Sequence, residues 1–368
     1  MFSIVFLSVK CNYNLLLYKR SDIERDQKVL KYDIMHVIDS GNEESKMGDD
    51  KKMVYDITVI GAAIIDILAS PVSKNVFSTG SIPMDTIEMS FGGDALNETI
   101  ILSALGKKVQ LISKIGDDEA GKRILGYLQE KNISVDSVNV SEGLDTGINI
   151  VLIDEKGERH FLTNPRSSLR KLELEDILPF IENSAEIVSF ASMFVSPLMT
   201  IPKMKELFSL IKENGKILAV DMTKAKNGES IKDIAELLPY IDYIFPNEAE
   251  ISLLTGEKDP CRNVRILLEL GVKNAVIKCG EKGCVIGNEK GIHIIPAVPA
   301  EKCVDTTGAG DTFVSGFLWA LSEGWEPVNC TKFACAAASF AVEKVGATGG
   351  IRSLDEIKKR FEERELAI

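Results

Sequence analysis

The sequence predicts an α/β fold in three layers, with a mostly parallel central sheet covered by helices on both faces and a small β-sheet lid beside it. From residue 54 onward, short β-branched runs alternate with amphipathic helical stretches, which is typical of the crossover units that join parallel strands. Two segments, near 65–91 and 146–163, interrupt this alternation with extended sequence and no helix. We expect them to form a small antiparallel sheet that stands off the main body as a lid.

Six apolar runs predict buried strands of the central sheet, and four amphipathic stretches predict helices packed on it. The strand segments are 54–61, 109–114, 187–189, 217–221, 243–245 and 275–278. The helical segments are 95–105, 121–131, 204–213 and 231–238. In the second lid segment, the letters GINIVLIDEKGERHFLT predict two strands around a turn centred on EKGE. Because ligands of such sheets bind beyond the carboxyl ends of the strands, motifs just after strands are the candidates for chemistry.

Composition and charge argue against two classes of function, nucleic-acid binding and zinc-dependent catalysis. The 368 residues are 45% hydrophobic and 27% charged, which is enough apolar material for one large domain or a core domain with an insertion. The formal net charge of −12 argues against a nucleic-acid-binding surface, which requires a basic stripe. Neither the seven cysteines nor the three histidines have metal-ligand spacing, so a zinc enzyme is not expected. Small buried thiols in a reducing compartment explain the cysteines.

Residues 1–52 differ from the rest of the chain. They have no clear hydrophobic period, their nine basic and nine acidic residues cancel, and they end in the polar stretch SGNEESKMGDDKK. We expect an N-terminal extension that is disordered or not part of the fold, followed by one domain over 53–368. The apolar start, MFSIVFLSV, lacks the basic residues and cleavage site of a signal peptide and is too short to cross a bilayer. We therefore expect a cytoplasmic protein without a membrane partner.

The most informative motif is DTTGAGDTF, which begins at Asp305 and leads into an apolar helical stretch. The backbone amides of Gly308, Ala309 and Gly310, together with the helix dipole, can hold an anion that gains charge in a transition state. Asp311 in the same turn can accept the proton of an attacking hydroxyl, as phosphoryl transfer requires. Taken alone, the motif also fits a structural glycine turn in which the aspartate caps the helix and interacts favourably with its dipole, without a catalytic role.

With its flanking residues, DTTGAGDTFVSGFL resembles the C-terminal signature of the ribokinase-like (PfkB) carbohydrate kinases, and further segments extend the resemblance from residue 54 to about 352. The resemblance implies a ribokinase-like α/β/α sandwich and ATP-dependent phosphorylation of a hydroxyl on a small sugar. It assigns the catalytic base to Asp311 and the anion hole to the amides of Gly308, Ala309 and Gly310. It implies ATP and Mg²⁺ as cofactors. Because lids in this family often pair with a second subunit, a homodimer through the lid is a further expectation.

The resemblance locates the sugar near two earlier motifs. The letters GGDALN, with Gly92 and Gly93 at their start and Asn97 at their end, resemble the GGxxxN element that holds sugar hydroxyls. Glycine allows a close backbone approach, and the Asn97 amide can both donate and accept. GAAIID, which ends at Asp66, resembles the family's opening strand, whose aspartate binds substrate hydroxyls. Without the resemblance, Asn97 fits a surface position at a helix start and Asp66 fits a strand end pointing to water.

The letters KIGDDEAG, residues 114–121, resemble the family's first signature, which follows a strand and opens a helix. We interpret them as architecture. Gly116 is expected to make the turn, and Asp117 is expected to cap the helix.

Two motifs are expected on the nucleotide side. Asn247 and Glu250 form a sequence that resembles the family's NxxE motif, which is associated with magnesium and phosphate placement, Glu250 acting largely through water. The same spacing is a helix capping box, and the two roles can coexist. The letters KCGEKG stand where the family has TxGxxG. Lys278 replaces the threonine and can substitute for it electrostatically, while Gly280 and Gly283 keep the nucleotide turn.

The resemblance also reaches the two ends of the nucleotide pocket. Thr307 is assigned to ATP binding, and Asp305 with Thr307 matches the first part of a monovalent-cation site found in some relatives, so K⁺ is a further candidate cofactor. Residues 329–345 and the turn at 346–350 are expected to wall the adenine pocket. Neither GxxxxGK[ST] nor GxGxxG after a strand occurs, which excludes a P-loop enzyme and a dinucleotide-binding oxidoreductase.

The identity of the acceptor has alternatives within the enzyme class. A nucleoside kinase of the same family would share the GAGD and GG elements and would need an aromatic or apolar slot for the base. The candidates for that slot are Phe91, Phe161 and Phe194. A phosphosugar or an acid sugar would need basic residues instead. No clear basic cluster is apparent, although three arginines lie near the lid: Arg159, Arg166 and Arg170.

A non-catalytic sugar-binding or regulatory protein on the same fold is the alternative from a different class. Decay of catalysis would most cheaply remove Asp311 and the GAG letters before it. Both are intact, so we favour the enzyme.

Overall fold

A computed structural model describes residues 54–155 and 158–367, and the expected extension 1–52 lies outside the described residues. The described strands are β1 (Ile57–Ile60), β2 (Ile64–Ser70), β3 (Thr86–Gly92), β4 (Val109–Gly116), β5 (Val138–Ser141), β6 (Ile148–Ile153), β7 (Arg159–Thr163), β8 (Ile187–Met193), β9 (Ile217–Met222), β10 (Tyr243–Ile244), β11 (Asn274–Lys278), β12 (Cys284–Asn288) and β13 (Gly291–Ile295). The described α-helices are α1 (Asp94–Ala104), α2 (Glu119–Glu130), α3 (Leu174–Ile181), α4 (Ile201–Glu213), α5 (Ile231–Ile234), α6 (Glu248–Thr255), α7 (Pro260–Glu269), α8 (Ala309–Ser322), α9 (Pro327–Ala341) and α10 (Leu354–Ala367).

Nine of these strands form a main sheet in the order β13-β12-β11-β10-β9-β8-β1-β4-β5. Neighbouring strands from β11 to β5 in this order are parallel. The two pairings that involve β12 are antiparallel. The other four described strands form a small sheet in the order β3-β2-β6-β7.

Helices cover both faces of the main sheet because its central strands bury both faces. In β1, Ile57 and Val59 belong to a core shared with α1, α8 and α9, whereas Ile60 belongs to a second core shared with α3, α4 and α7. Two buried faces are what parallel strands with crossover helices require. The predicted three-layer sandwich with a mostly parallel sheet and a small second sheet is therefore confirmed. Within the described part of the chain, no helix combines the length and the apolar character needed to cross a bilayer.

The small sheet is mixed, and the prediction that it is antiparallel was wrong at its central pair. The pairs β2–β3 and β6–β7 are antiparallel, as expected of strands that follow one another directly. However, β2 and β6 run parallel. Between them the chain passes through α1, β4, α2 and β5, so no hairpin forces the return strand to reverse its direction.

The opening strand is shorter than predicted, and Asp66 does not belong to it. β1 ends at Ile60, and Gly61 follows with a φ of +153°. Asp66 lies in the next strand, β2, and thus in the small sheet. The apolar run 57–65 therefore contains two strands separated by a break, which periodicity alone cannot resolve.

Two helix boundaries also differ from their predictions. The predicted helix 231–238 ends early, at Ile234, and Pro239 lies in the 3₁₀ turn Leu238–Tyr240 that follows it. At the start of α2, Asp118 rather than Asp117 is the capping residue. The Asp118 carboxylate accepts from the Gly121 amide at 2.8 Å, while Asp117 accepts from the Gly143 amide.

Candidate active site

A cleft of about 790 Å³ opens at the carboxyl ends of the central parallel strands, where ligands of such sheets bind. Its polar wall comes from the loops after β9, β10 and β11 and from the start of α8. Its volume suits a ligand of nucleotide size. The residues predicted from sequence that line it are Asn247, Glu250, Lys278, Gly280, Gly283, Ala309, Gly310 and Asp311.

The start of α8 requires glycine at the N-cap. Gly308 has a φ of +73°, and a β-carbon there would lie 2.0 Å from the carbonyl oxygen of Ala347. A β-carbon at Gly310 would meet only the Lys278 ammonium, at 3.5 Å. The amide of Ala309 makes a long hydrogen bond of 3.3 Å to the carbonyl of Thr306. Since first-turn amides have no acceptor inside their own helix, this turn offers donors to an anion beside Lys278.

Asp311 is held by the first long helix. Its Oδ2 accepts a hydrogen bond of 2.7 Å from Asn97 Nδ2 on α1, a contact between residues 214 positions apart. Burial raises the pKa of Asp311 well above its ordinary value, and the nearby carboxyl of Asp94 raises it further. The structure therefore brings together the predicted base and the predicted sugar-binding asparagine.

The second predicted sugar-binding motif meets a residue that the sequence reasoning missed. Asp66 Oδ1 accepts from Asn149 Nδ2 on the neighbouring strand β6, at 3.0 Å. Gly92 lies directly beneath this carboxylate, because a β-carbon there would be 2.1 Å from Asp66 Oδ2. A β-carbon at Gly93 would be 2.5 Å from the Ala62 carbonyl. The signal for Asn149 was a single buried amide in the otherwise apolar strand INIVLI.

Two amide oxygens on this side of the site lack donors. The Oδ1 atoms of Asn97 and Asn149 are buried and have no hydrogen-bond partner among the described residues. Neither residue is among those that line the cleft. Because a buried polar atom without a partner is costly, both oxygens are candidate acceptors for a ligand hydroxyl.

Lys278 forms a buried ion pair that the sequence analysis did not anticipate. Its ammonium donates to both carboxylate oxygens of Asp221, at 2.8 Å each, and Asp221 Oδ1 also accepts from the Met222 amide. Burial opposes the charge of Lys278, but the carboxylates of Asp221 and Glu250 raise its pKa above the ordinary value. The lysine is thus held protonated in the cleft, beside Gly310.

The Asn247–Glu250 pair forms the capping box at the start of α6. Asn247 Oδ1 accepts from the Glu250 amide at 2.9 Å, and Glu250 Oε2 accepts from the Asn247 amide at 2.8 Å. Both residues also line the cleft. Burial raises the pKa of Glu250 to about 7, and the Lys278 ammonium opposes that rise.

Asp305 is saturated with donors. Oδ1 accepts from the amide and hydroxyl of Thr307, and Oδ2 accepts from the Gly346 amide and from the guanidinium of Arg159 on β7. Burial alone would raise its pKa, but these hydrogen bonds lower the pKa of Asp305 below its ordinary value. Arg159 thereby connects the small sheet to the loop that leads into α8.

The far wall of the cleft is apolar. It is built from Ala297, Val298, Pro299 and Ala300, from Phe313 on α8, and from Cys335, Ala338 and Val342 in or just after α9. The residues from α9 and Val342 fall within the segment 329–345 that was expected to wall the adenine pocket. The aromatic candidates for a nucleoside slot are dispersed: Phe91 packs on Tyr127, and Phe194 lines a separate small cavity. Phe161 is 55% exposed on β7.

Comparisons with known proteins agree with this architecture. The model of the pfkB family carbohydrate kinases matches residues 55–354. The ATP-dependent 6-phosphofructokinase of Thermoanaerobacterium thermosaccharolyticum is 26% identical over 86% of this chain and 97% of its own length. The structure of Arabidopsis thaliana ribokinase complexed with ribose and ATP matches with a TM-score of 0.72 and 26% identity, over 84% of this chain and 99% of that one.

A putative ribokinase II from E. coli, solved in complex with ATP and Mg²⁺, matches with a TM-score of 0.72 and 23% identity. It covers 85% of this chain and 100% of its own. Because the family model spans most of the sequence and the fold agrees with it, the chain belongs to the pfkB family of carbohydrate kinases.

Proposed function

We propose that this protein transfers the γ-phosphoryl group of ATP to a hydroxyl group of a small sugar, with Asp311 as the base. The observation that carries the proposal is the setting of Asp311 in the first turn of α8, beside the amides of that turn and held by Asn97. This pairs a proton acceptor with an anion site, which is what phosphoryl transfer needs. The family assignment and the ATP-bound ribokinase structures support the same reaction.

The acceptor sugar would bind between the small sheet and α1. Asp66 and the donor-free amide oxygens of Asn97 and Asn149 would accept hydrogen bonds from its hydroxyls. Gly92 would let the Asp66 carboxylate lie against the backbone of β3, and Gly93 would let the start of α1 approach the Ala62 carbonyl, so both glycines would position the groups that hold the sugar.

ATP would lie in the cleft with its phosphates toward Lys278 and Gly310 and its adenine against the apolar wall. Gly280 and Gly283 would form the turn under the nucleotide. Glu250 would hold Mg²⁺ largely through water, with Asn247 beside it, since oxygen ligands are what this ion prefers. Mg²⁺, when bound, would neutralise charge on the phosphates.

K⁺ at Asp305 stays a prediction. The two carboxylate oxygens already accept from Thr307, Gly346 and Arg159, so direct ligation by this side chain does not fit while those donors remain. A cation beside α8 would need backbone carbonyl oxygens instead. We retain Thr307 as an ATP-binding residue because it directly precedes the N-cap of α8.

In the proposed reaction, the acceptor hydroxyl gives its proton to Asp311 while its oxygen attacks the γ-phosphorus in line and ADP leaves. The raised pKa makes the ionised Asp311 a stronger base than an exposed aspartate. The first-turn amides of α8 and the Lys278 ammonium would stabilise the charge on the group in transfer. The small sheet would act as a lid that excludes water, which otherwise competes with the sugar.

We further propose a cytoplasmic homodimer. Alternation along the small sheet places five exposed apolar side chains on one side of it, opposite to Asp66, and we call this side the outer face. Its members are Ile87, Met89, Ile148, Ile150 and Leu162. An apolar patch of this kind on a soluble domain marks an interaction surface. The six described cysteines form no disulfide with one another.

The test is ADP release from ATP and Mg²⁺ across free sugars, sugar acids, phosphosugars and nucleosides, with Asp311→Asn in parallel. We expect one acceptor class to stimulate turnover, and the variant to lower kcat/KM about 10²- to 10⁴-fold, the range for loss of a general base. If only nucleosides stimulate ADP release, the acceptor is a nucleoside and the proposed sugar acceptor is wrong. Tight sugar binding without ADP release by the unmodified protein would refute the kinase in favour of a sugar-binding regulator.

A further inference from the structure

The three arginines near the small sheet have different surroundings. Arg166 is exposed to solvent, and Arg170 Nη1 donates to the carbonyl of Val195 at 2.6 Å. Arg159 Nη2 instead donates to the Asp305 carboxylate, and the side chains of this ion pair are only 16% and 7% exposed. Arg159 is also the one residue of β7 that is not exposed. The strand thus turns a single charged side chain back toward the main body.

The strand register places Arg159 on the face of the small sheet that carries the predicted sugar-binding residues. Residues that pair directly across strands share a face, so Asp66, Asn149 and Thr163 lie on the same side. Arg159 belongs to that side too, because it lies four residues before Thr163 on β7 and successive side chains of a strand alternate. We call this side the inner face.

Arg159 lies at the far end of the inner face. The near end is fixed to the main body by short connections, since β2 starts four residues after the end of β1 and β3 ends two residues before the start of α1. Arg159 pairs with Ile153, the last residue of β6, which at about 3.3 Å per residue is about 17 Å along the strand from Ile148. The inner face therefore borders the proposed acceptor site at one end and contacts the loop before α8 at the other, where no short connection forces a contact.

The Asp305 carboxylate organises the turn that presents the anion site. Its Oδ1 accepts from the amide and the hydroxyl of Thr307, at 3.0 and 2.8 Å, and its Oδ2 accepts from the Gly346 amide at 2.8 Å. Thr307 directly precedes the N-cap Gly308, and Gly346 directly precedes Ala347, whose carbonyl packs against Gly308. The small sheet thus reaches, through its arginine, the same carboxylate that orders this turn.

The ion pair can open without leaving a buried charge alone. If Arg159 moves away, Asp305 keeps its hydrogen bonds from Thr307 and Gly346. Arg159 itself would enter water beside a strand whose other residues are already exposed. Opening therefore avoids the large penalty of stranding one partner of a buried ion pair, so this contact suits a sheet that opens and closes.

We propose that Arg159 is a positioning residue whose pairing with Asp305 closes the inner face over the bound acceptor and holds the turn before α8 in place. The inference rests on the proposed kinase function and adds the contact that holds the closed state. Arg159 would act through Asp305 and not on the reacting atoms. Its loss would let water reach the γ-phosphate, because closure is what excludes water.

The first test measures ADP and phosphorylated acceptor side by side at saturating ATP, with the acceptor that best stimulates the unmodified protein. Arg159→Gln should raise the KM for the acceptor at least about 10-fold and lower kcat, with the KM for ATP changed less than about 2-fold. The share of ADP formed without phosphorylated acceptor should rise at least about 5-fold. Arg159→Lys keeps the charge and should recover part of each change. Arg166→Gln, which removes an exposed arginine beyond the end of β7, is the matched control and should change none of them.

A double-mutant cycle with Asp305→Asn tests whether Arg159 acts through that carboxylate. In the Asp305→Asn protein, Arg159→Gln should change the acceptor KM and the share of uncoupled ADP by less than about 2-fold further. An equal effect in both backgrounds, or a rise confined to the KM for ATP, would overturn the inference, because Arg159 would then act on the phosphates or on another group.

Hydrogen exchange followed by mass spectrometry reads the closure without turnover. Arg159→Gln should speed exchange of the β6 and β7 amides at least about 10-fold, with the amides of β8 and β9 in the main sheet unchanged. Unchanged exchange, or faster exchange with a normal acceptor KM and normal coupling, would overturn the inference and leave the kinase standing. If no acceptor gives Asp311-dependent ADP release, the proposed function fails and the inference fails with it, whatever the exchange shows.

Discussion

At the residue scale, the active site collects several carboxyl groups around a single buried ion pair. Lys278 hydrogen-bonds to the carboxylate of Asp221. The carboxyl groups of Asp94, Glu250 and Asp311 also interact electrostatically with Lys278. Burial raises the pKa values of Asp94 and Asp311, and it raises that of Glu250 to about 7, so Glu250 is partly protonated near neutral pH before a ligand arrives. The lysine is therefore the fixed positive charge that phosphates would meet.

Replacing Lys278 separates its structural role from its role toward ATP. Lys278→Met leaves Asp221 buried without a counter-charge, so we expect a loss of about 3–5 kcal/mol in the free energy of unfolding. Lys278→Met with Asp221→Asn removes both charges and should recover most of that loss. Urea unfolding measures both variants. If Lys278 contacts the phosphates, the refolded double variant keeps a low kcat/KM for ATP, whereas normal kinetics would reduce the lysine to a structural residue.

Glu250 predicts a pH dependence of stability. Its pKa is about 7 in the folded protein against 4.5 in an exposed chain, so between these values the folded state holds a proton that the unfolded state has released. Stability from this group is therefore complete below pH 4.5 and is lost as pH rises through 7, by about 3 kcal/mol. Glu250→Gln keeps the capping box and removes the titration.

Urea unfolding of both proteins from pH 5 to pH 8 checks this prediction. The stability of Glu250→Gln should fall less steeply with rising pH than that of the unmodified protein. Parallel curves would mean that Glu250 already ionises at its ordinary pKa in the folded protein.

At the scale of elements, the site depends on two helix starts that point at the same place. The N-terminus of α8 presents Asp311 and the first-turn amides, and the N-terminus of α1 presents Asn97, which donates to Asp311. Both starts follow glycines in left-handed or close-packed backbone, Gly93 and Gly308, whose missing side chains let another backbone carbonyl approach. The chemistry is therefore positioned by backbone geometry as much as by side chains.

Gly308→Ala should disable the anion site. Its β-carbon would meet the Ala347 carbonyl at 2.0 Å, so backbone must move at the start of α8, and the φ of +73° adds strain. We expect kcat to fall at least 100-fold, because the displaced backbone amides of α8 would no longer point at the phosphoryl group in transfer. Gly324→Ala is the matched control: its φ is +78°, but nothing lies within 4 Å of the new β-carbon. It should cost about 1 kcal/mol of stability with kcat unchanged, and equal kcat losses in both variants would contradict the prediction.

At the scale of the whole molecule, the small sheet has two unlike faces. One carries Asp66 and Asn149 toward the site, and Arg159 on its last strand reaches Asp305 next to α8. The outer face is apolar and exposed. The small sheet is therefore tied to Asp305 on one side and exposes an apolar surface on the other.

We expect the outer face to bind a second copy of the chain. Met89→Lys with Ile150→Lys places two charges at its centre and should convert a dimer to a monomer in sedimentation equilibrium. Leu253→Lys is the control, because Leu253 is a similarly exposed apolar residue that lies elsewhere, on α6. A monomeric unmodified protein, or a dimer that survives the double substitution, would show that the outer face is not the interface.

Sequence reasoning succeeded where the chemistry is local in the chain. The alternation of strands and helices, the turn before α8, the capping box of α6 and the glycines before α1 are each decided by residues within a few positions of one another. The family resemblance, and not a local pattern, predicted that GAGD and Asn97 belong to one site before their contact was known. The errors at Asp117, at Pro239 and in the small sheet came from features that propensity leaves open: which of two aspartates caps, where a helix stops, and which strands pair.

The sequence by itself determined the fold class and the family, and it predicted a base and an anion site, because short motifs carry their own backbone geometry. Only the tertiary structure decided which residues that are distant in the sequence contact one another. Asp221 pairs with Lys278 over 57 positions, Asp66 with Asn149 over 83, and Arg159 with Asp305 over 146. No local pattern encodes such pairs, because they depend on which strands become neighbours once the sheets have formed.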